Sequence, residues 1–153
     1  LADWEVRLPT QPEWEKGARG GLMLPSVNPP VAFGKLAVLP PSALQPNPNP
    51  RRIFPWGDPA DPERANCTES KIGTTSAAGC FAGGASPYGL EELSGNVWEC
   101  SQNVDKDGWS YLRGNAYYSV ADEVAAVAVN GNPPDDWYYV FGFRCVVVPL
   151  SRV

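Results

Sequence analysis

Histidine is absent from all 153 residues. That removes from within this chain the imidazole base, the Ser-His-Asp and Cys-His nucleophile pairs, and every His-ligated zinc or iron site. There is no C-x-x-C pair either. Cys67, Cys80, Cys100 and Cys145 stand singly and far apart, a spacing of neither the zinc nor the thioredoxin type. Basic residues are few, 12 Lys and Arg against 17 Asp and Glu for a formal net charge of -5, and Arg51-Arg52 is the one adjacent basic pair. Displacing counterions from phosphates takes clustered cations, so this balance argues against nucleic acid as a partner. No apolar run is long enough to span a membrane, and no charged-then-apolar leader opens the chain. Leu1 stands where an initiator Met would, which reads as a fragment or a processed product.

Glycine and proline, by contrast, are abundant at 15 and 17 residues, which argues against a mainly helical bundle. Six Trp, six Tyr and five Phe argue against wholesale disorder, because that much aromatic surface offsets the entropy lost on ordering. The length suits one domain able to bury its own core without staples. Four cysteines are too few for a disulfide scaffold. They read as buried small hydrophobes, with one disulfide as the alternative.

Thr10-Gln11-Pro12-Glu13 predicts a helix start, with Thr10 capping the first turn, Glu13 returning a bond, and Pro12 placed where a missing N–H costs little. The helix should end near Gly20-Gly21. Prolines then crowd the stretch from Leu22 to Pro55, including Asn47-Pro48-Asn49-Pro50. Few donors and stiff φ angles predict an extended loop there rather than strand or helix, either a surface insertion or a docking arm for a partner. The later half reads as turns and short strands. Strands are expected at Val97–Cys100, Tyr111–Arg113, Val124–Val129 and Phe141–Val148, and Asp105-Lys106-Asp107-Gly108 reads as a solvated turn. The Val124–Val129 run does not alternate, which predicts burial on both faces. Together these elements predict an α+β domain with a small sheet and heavy loops.

Seven blocks follow one another in a telling order: Arg7-Leu8-Pro9-Thr10 with Glu13-Trp14-Glu15, Phe54-Pro55-Trp56-Gly57-Asp58, Ala65-Asn66, Gly83–Gly89, Gly95-Asn96-Val97-Trp98-Glu99, Arg113-Gly114 and Gly142-Phe143-Arg144-Cys145. The series resembles the formylglycine-generating enzyme (sulfatase-modifying factor) family, over about Arg7 to Val148. The resemblance implies a C-type lectin-like fold, with a small twisted antiparallel sheet, short helices and many loops. It also implies that residues 1–153 form the C-terminal part of one such domain, carrying a proline-rich insertion at about 22–52. Catalytic members use a close pair of cysteines, shortly after the Arg-Gly block, to bind copper and form a mixed disulfide with substrate. Between Ser101 and Arg144 this sequence has no cysteine. A thiolate is both soft metal ligand and sulfur nucleophile, and no other side chain serves in both roles, so formylglycine-generating activity is not expected. Ergothioneine-type relatives use His-ligated iron and are disfavoured by the lack of histidine. Family enzymes from oxidising compartments often bridge the cysteine of the Gly-Phe-Arg-Cys block to one near the Arg-Leu-Pro-Thr block. Cys145 has no such partner here and is expected to be buried and free, with a bridge to a cysteine upstream of residue 1 as the alternative.

Two oxygen-rich segments suit calcium, which accepts carboxylates and backbone carbonyls alike. The resemblance gives one site to the side chains of Glu92 and Glu99 with the carbonyls of Gly95 and Val97; alternatively Glu99 caps a backbone group and Glu92 is solvated. A weaker set is Asn66, the carbonyl of Cys67, Ser70 and the carbonyl of Ile72, where Ser70 stands in place of a charged family ligand. In both, calcium would be structural. Asn66-Cys67-Thr68 is also an N-x-T sequon, but an asparagine used as a metal ligand is not an exposed glycan acceptor.

Residues Trp109 to Val140 are rich in groups that recognise partners. Asn115, Tyr117, Tyr118, Ser119, Asn130, Asn132, Asp135, Asp136, Trp137, Tyr138 and Tyr139 are candidate ligand-binding residues, while Trp109 and Tyr111 read as core plugs. Tyr and Trp give rigid contact area with a polar tip, and Asn, Ser and Asp add adaptable hydrogen bonds, as in antibody loops. The layout from Arg113-Gly114 to Gly142-Phe143-Arg144 also resembles the variable region of proteins diversified by diversity-generating retroelements. The expected function is a non-catalytic domain for a macromolecular ligand. A protein is favoured over free sugar, since no Glu-Pro-Asn or Gln-Pro-Asp triplet is present. The alternative is an enzyme, or an enzyme's accessory domain, with its catalytic residues upstream. The binder fits a cell-surface, secreted or virion-associated setting, and the oligomeric state stays open.

Overall fold

A computed structural model describes residues 3–26, 41–133, 135–136 and 138–150. Strand β1 (Trp4–Arg7) leads into α1 (Gln11–Arg19). The expected capping box is formed: the Glu13 N–H donates to Thr10 Oγ1 at 3.4 Å, and the Thr10 N–H donates to Glu13 Oε2 at 2.8 Å. Trp14 and Ala18, one turn apart, are the buried residues of α1. Gly20 closes the helix in the left-handed conformation (φ 88°), its N–H donating to the Lys16 carbonyl at 2.7 Å. Asn47 supplies a second cap, donating from Nδ2 to the carbonyls of Arg19 and Gly21.

The proline-rich stretch departs from the predicted strandless loop. Its described ends pair as the antiparallel strands β2 (Met23–Pro25) and β3 (Leu44–Pro46), closed by Ser26 N–H to Ala43 O and Asn47 N–H to Leu22 O. Proline is tolerated because Pro25 and Pro46 sit at strand ends, where no ladder donor is required. Residues 27–40, the rest of the expected insertion, lie outside the described residues.

The main sheet has four strands: β4 (Trp98–Val104), β5 (Ser110–Arg113), β6 (Val129–Asn132) and β7 (Phe141–Gly142), in the order β6-β5-β4-β7. β4 and β5 form a hairpin around the expected Asp105–Gly108 turn, where Asp105 Oδ1 accepts from the N–H groups of Asp107 and Trp109. β7 runs parallel to β4, and β8 (Val146–Pro149) pairs antiparallel with β1, so opposite ends of the chain meet. The single strand expected at Phe141–Val148 is therefore two, separated by a bend that delivers Arg144 to β4.

Of the expected strand Val124–Val129 only the last residue is in a strand, where Val129 opens β6. The Ala126 N–H donates to Ile53 O, and the Ala126 carbonyl accepts from Arg113, so its backbone groups serve a tertiary junction rather than a ladder. Val124 and Ala126 are buried, whereas Val127 and Val129 are half exposed, which corrects the expectation of burial on both faces. Among the described residues the core is three small clusters rather than one slab: Phe54, Ala65, Cys67, Ala121 and Val124; Trp14, Ala18, Leu93 and Ala126; Trp98, Leu112, Ala116 and Val140. Of the cysteines, Cys67 alone is fully buried; Cys100 is partly so, Cys80 and Cys145 are exposed, and all four are free. Cys145 is thus exposed rather than buried as expected. No described helix is long and apolar enough to cross a membrane.

Candidate functional site

β4, β5, β6 and the turn before β7 converge on a cleft of about 350 Å3. Trp98 and Leu112 form its floor, Tyr118, Tyr138, Tyr139 and Phe141 its aromatic walls, and Asn130 and Asn132 its polar side. Trp98 Nε1 donates to the Tyr118 hydroxyl at 3.1 Å, and Tyr138 meets Phe141 edge-on with centroids 5.5 Å apart. Tyr117 leans edge-on against Tyr118 at 5.7 Å; desolvation, then a hydrogen bond with Tyr139, pushes its phenol above the ordinary value. Asn132 Nδ2 donates to the carbonyls of Pro133 and Asp136, fixing the loop that carries Tyr138 and Tyr139. Tyr139 stands 81% exposed at the rim.

The eleven-residue candidate set divides. Tyr118, Asn130, Asn132, Tyr138 and Tyr139 share the cleft. Asn115 and Ser119 turn inward instead: Ser119 Oγ donates to Asn115 Oδ1 at 2.8 Å, and Asn115 Nδ2 donates to Glu123 O at 2.6 Å. Asn115 has a positive φ of 65°, a conformation that asparagine tolerates and that directs its amide into this turn. Tyr117 packs against the third core cluster, Asp135 is exposed, and Asp136 contributes its carbonyl to Asn132. Trp137 lies outside the described residues. Trp98, Leu112, Val140 and Phe141 were missed as cleft residues. Their apolar, strand-forming character signals core, and only the tertiary arrangement opens one side of them. Trp109, expected to be a core plug, is 43% exposed.

The oxygen-rich segments also divide. Asn66 is fully buried, which leaves its sequon no accessible amide; Asn66 Oδ1 accepts from Ser70 Oγ at 3.1 Å, and the same hydroxyl donates to Cys67 O at 2.7 Å. One hydroxyl proton faces two acceptors, so three oxygens converge where a hard cation would satisfy them together. The Ile72 side chain is partly exposed. Around Glu99 the arrangement differs. Arg144 Nε and Nη2 donate to the two Glu99 carboxylate oxygens at 2.5 and 2.6 Å, and Trp14 Nε1 donates to Oε2 at 2.6 Å. Arg144 Nη2 also reaches the carbonyls of Glu91 and Glu92, so a guanidinium is the cation there. Glu92 turns instead to the Gly79 N–H at 3.1 Å, keeps one buried oxygen without a hydrogen bond, and is raised by burial above the usual carboxylate range. At Glu99 an arginine thus stands where calcium was expected, whereas the Asn66 set offers three neutral oxygens, fewer than the six to eight that calcium takes. Among the described residues no three Cys, Asp or Glu side chains cluster as metal ligands.

A family model described as "Sulfatase-modifying factor enzyme 1-like domain" matches residues 2–148. The chain belongs to that family. Two relatives named "Inactive C-alpha-formylglycine-generating enzyme 2", from Bos taurus and Mus musculus, are 31% and 30% identical over 91% of the chain. The chain spans 43% and 42% of their lengths. In fold it is similar to Treponema denticola variable protein 1 (TM-score 0.64, 18% identity, 94% of this chain and 48% of that one). It is also similar to CarF (0.63, 22%, 95% and 48%) and to PvdO from Pseudomonas aeruginosa (0.61, 20%, 95% and 53%). The α+β, C-type lectin-like expectation holds. No cysteine lies between Ser101 and Arg144, and Cys100, packed against the cluster of Trp98 and Leu112, is pushed up by burial and then by Glu99, the reverse of an activated thiolate.

Proposed function

We propose that this domain is a non-catalytic binding module whose ligand is a protein, held at the cleft around Tyr118, Tyr138 and Tyr139. One observation carries the reading: three tyrosines and two asparagines face solvent together on a firm apolar floor, with no charged side chain in the lining. Rigid aromatics of this kind bury area at little cost in side-chain entropy, and the amides supply adaptable hydrogen bonds. The missing thiol pair and the word "Inactive" in the names of the two mammalian relatives support a non-enzymatic role. The family fold shared with a variable protein makes a retroelement-diversified binder, with its surface within 109–140, the specific form of this reading. Calcium enters only as a structural ion at the Asn66, Cys67 and Ser70 oxygens, bracing the turn at residues 66–70 without supplying chemistry.

The test is to select protein ligands from a display library against the parent chain and measure their affinity for Tyr139→Ala and Tyr138→Ala. Affinity should fall about tenfold or more in each, the size of an aromatic hot spot, while the melting temperature stays nearly unchanged. Ligands indifferent to both substitutions would place binding elsewhere. In sister copies of the gene, adenine-directed variation should concentrate between Asn115 and Val140; invariance there would remove the diversified form of the proposal.

A further inference from the structure

A second cleft, of about 610 Å3, lies on the opposite face of the main sheet from the tyrosines. The alternation of β5 makes the separation: Leu112 faces the tyrosine cleft, and its neighbour Tyr111 lines this one. Gln11, Glu15, Lys16 and Arg19 enter from α1, and Asn103 from β4. Pro12, Pro50 and Val104 give it apolar walls.

Among its polar groups the Lys16 ammonium and the Asn103 amide donors are left without a partner among the described residues. Asn103 spends its Oδ1 on the Gln11 N–H at 2.7 Å, leaving the Asn103 NH2 uncommitted among the described residues. The one lining carboxylate, Glu15, already accepts from Arg19 Nη1 at 2.6 Å and from the buried Arg113 Nη2 at 3.0 Å. Arg19 keeps a buried Nε with no hydrogen-bond partner. Lys16 takes part in no ion pair among the described residues, and its stem lies across Gly21, where a Cβ would meet Lys16 Cγ at 3.2 Å. Glycine at this position, with φ 59°, leaves the ammonium its seat at the cleft. In a chain of net charge -5, this one concave place therefore gathers an unpaired ammonium, an arginine that shares its carboxylate partner with Arg113, and a free amide donor.

We propose that this cleft binds a small organic oxyanion, a phosphate or sulfate monoester. Its head meets Lys16, Arg19 and the Asn103 amide, and its body lies on the Pro12, Pro50 and Tyr111 surfaces. A tetrahedral head presents several strong acceptor oxygens, which matches a donor-rich lining better than a carboxylate does. The volume is in the range of sites for small organic ligands rather than bare ions. Two cations make too short a track for a nucleic-acid backbone.

Calorimetric titration with 4-nitrophenyl phosphate and 4-nitrophenyl sulfate tests this, with neutral 4-nitrophenyl glucoside as control. At least one ester should bind saturably, and the ratio of the two affinities tells phosphate from sulfate as the natural head. Lys16→Glu should weaken binding by roughly tenfold or more, as should raising NaCl from about 50 to about 500 mM. Lys16 is exposed, so the fold should tolerate the change; Lys16→Met, which keeps the stem and loses the charge, repeats the test if it does not. Tyr139→Ala should leave ester binding intact, which separates this site from the protein-binding cleft. Absence of saturable binding to both esters, equal binding of the glucoside, or undiminished binding by the folded Lys16 variants would overturn the proposal.

Discussion

Trp14 shows how much one residue settles in this molecule. Its indole N–H donates to Glu99 Oε2 at 2.6 Å while the Arg113 guanidinium lies over its ring at 5.0 Å, so one side chain contacts both an acid and a base that face each other across the β4–β5 ladder. Arg113, only 2% exposed, is pulled below its usual pKa by burial and held charged by Glu15 and the Ala126 carbonyl. Trp14→Phe keeps the ring packing but removes the donor from a buried carboxylate. It should cost about 2 kcal/mol, seen as a fall of roughly 5 °C in thermal denaturation. An unchanged melting temperature would mean that Arg144 alone satisfies Glu99. The aromatic character of Trp14 and its place in a motif are legible in the sequence. That Glu99 answers to Arg144 and Trp14 rather than to a metal is not, because Trp14 and Glu99 are 85 positions apart and the register that joins them is tertiary.

Among the elements, α1 is the one whose sequence states its own boundaries. The capping box, the proline in the first turn and the left-handed Gly20 all act within a few residues, so local chemistry suffices. Glu13 also receives Arg7 at 2.7 and 2.8 Å. That hydrogen-bonded pair, outweighing desolvation and aided by Thr10, lowers its pKa from 4.5 to about 2. A carboxylate lowered on folding stabilises above its unfolded pKa and ceases to do so as the pH falls through the folded value. Glu13→Gln should therefore cost about 1 kcal/mol at pH 7, a figure discounted because the carboxylate is one-third exposed. Denaturant titrations should show the gap between parent and variant closing between pH 4.5 and about pH 2. A gap constant over that window would show that the bond, not the charge, matters. Where stabilising partners come from distant segments, local reading failed. Val124–Val129 has strand-forming composition, yet Ile53 and Arg113 claim the Ala126 backbone. The proline-rich ends looked strandless, yet β2 and β3 find each other across 18 intervening residues, 26–43.

At the scale of the whole molecule the regular structure among the described residues is thin: short strands, one α-helix and three single-turn 3-10 helices, with three small cores. Asn66 is the clearest joint, donating to Thr74 O, Ser76 Oγ and Asn96 Oδ1 while accepting from Ser70. An ion at the Asn66, Cys67 and Ser70 oxygens would tighten that joint. Without a carboxylate the site should be weak, so about 5 mM calcium should raise the melting temperature by roughly 3 °C. Asn66→Ala should abolish the calcium-dependent part of the shift whatever it does to basal stability. A shift that survives Asn66→Ala, or no shift at all, would exclude calcium from this place. By itself the sequence determined the family, through ordered blocks of tryptophan, glycine and charged residues, and it determined the helix, whose signals lie within one or two turns. It also fixed the chemistry that is missing, since a residue type absent from the chain is absent from every site built within it. Only the tertiary structure decided which tyrosines and asparagines face outward together, which of them turn in, and which carboxylate is already neutralised by arginine. Those outcomes depend on strand pairing and on contacts between residues tens of positions apart, and no local pattern of side chains encodes such distances.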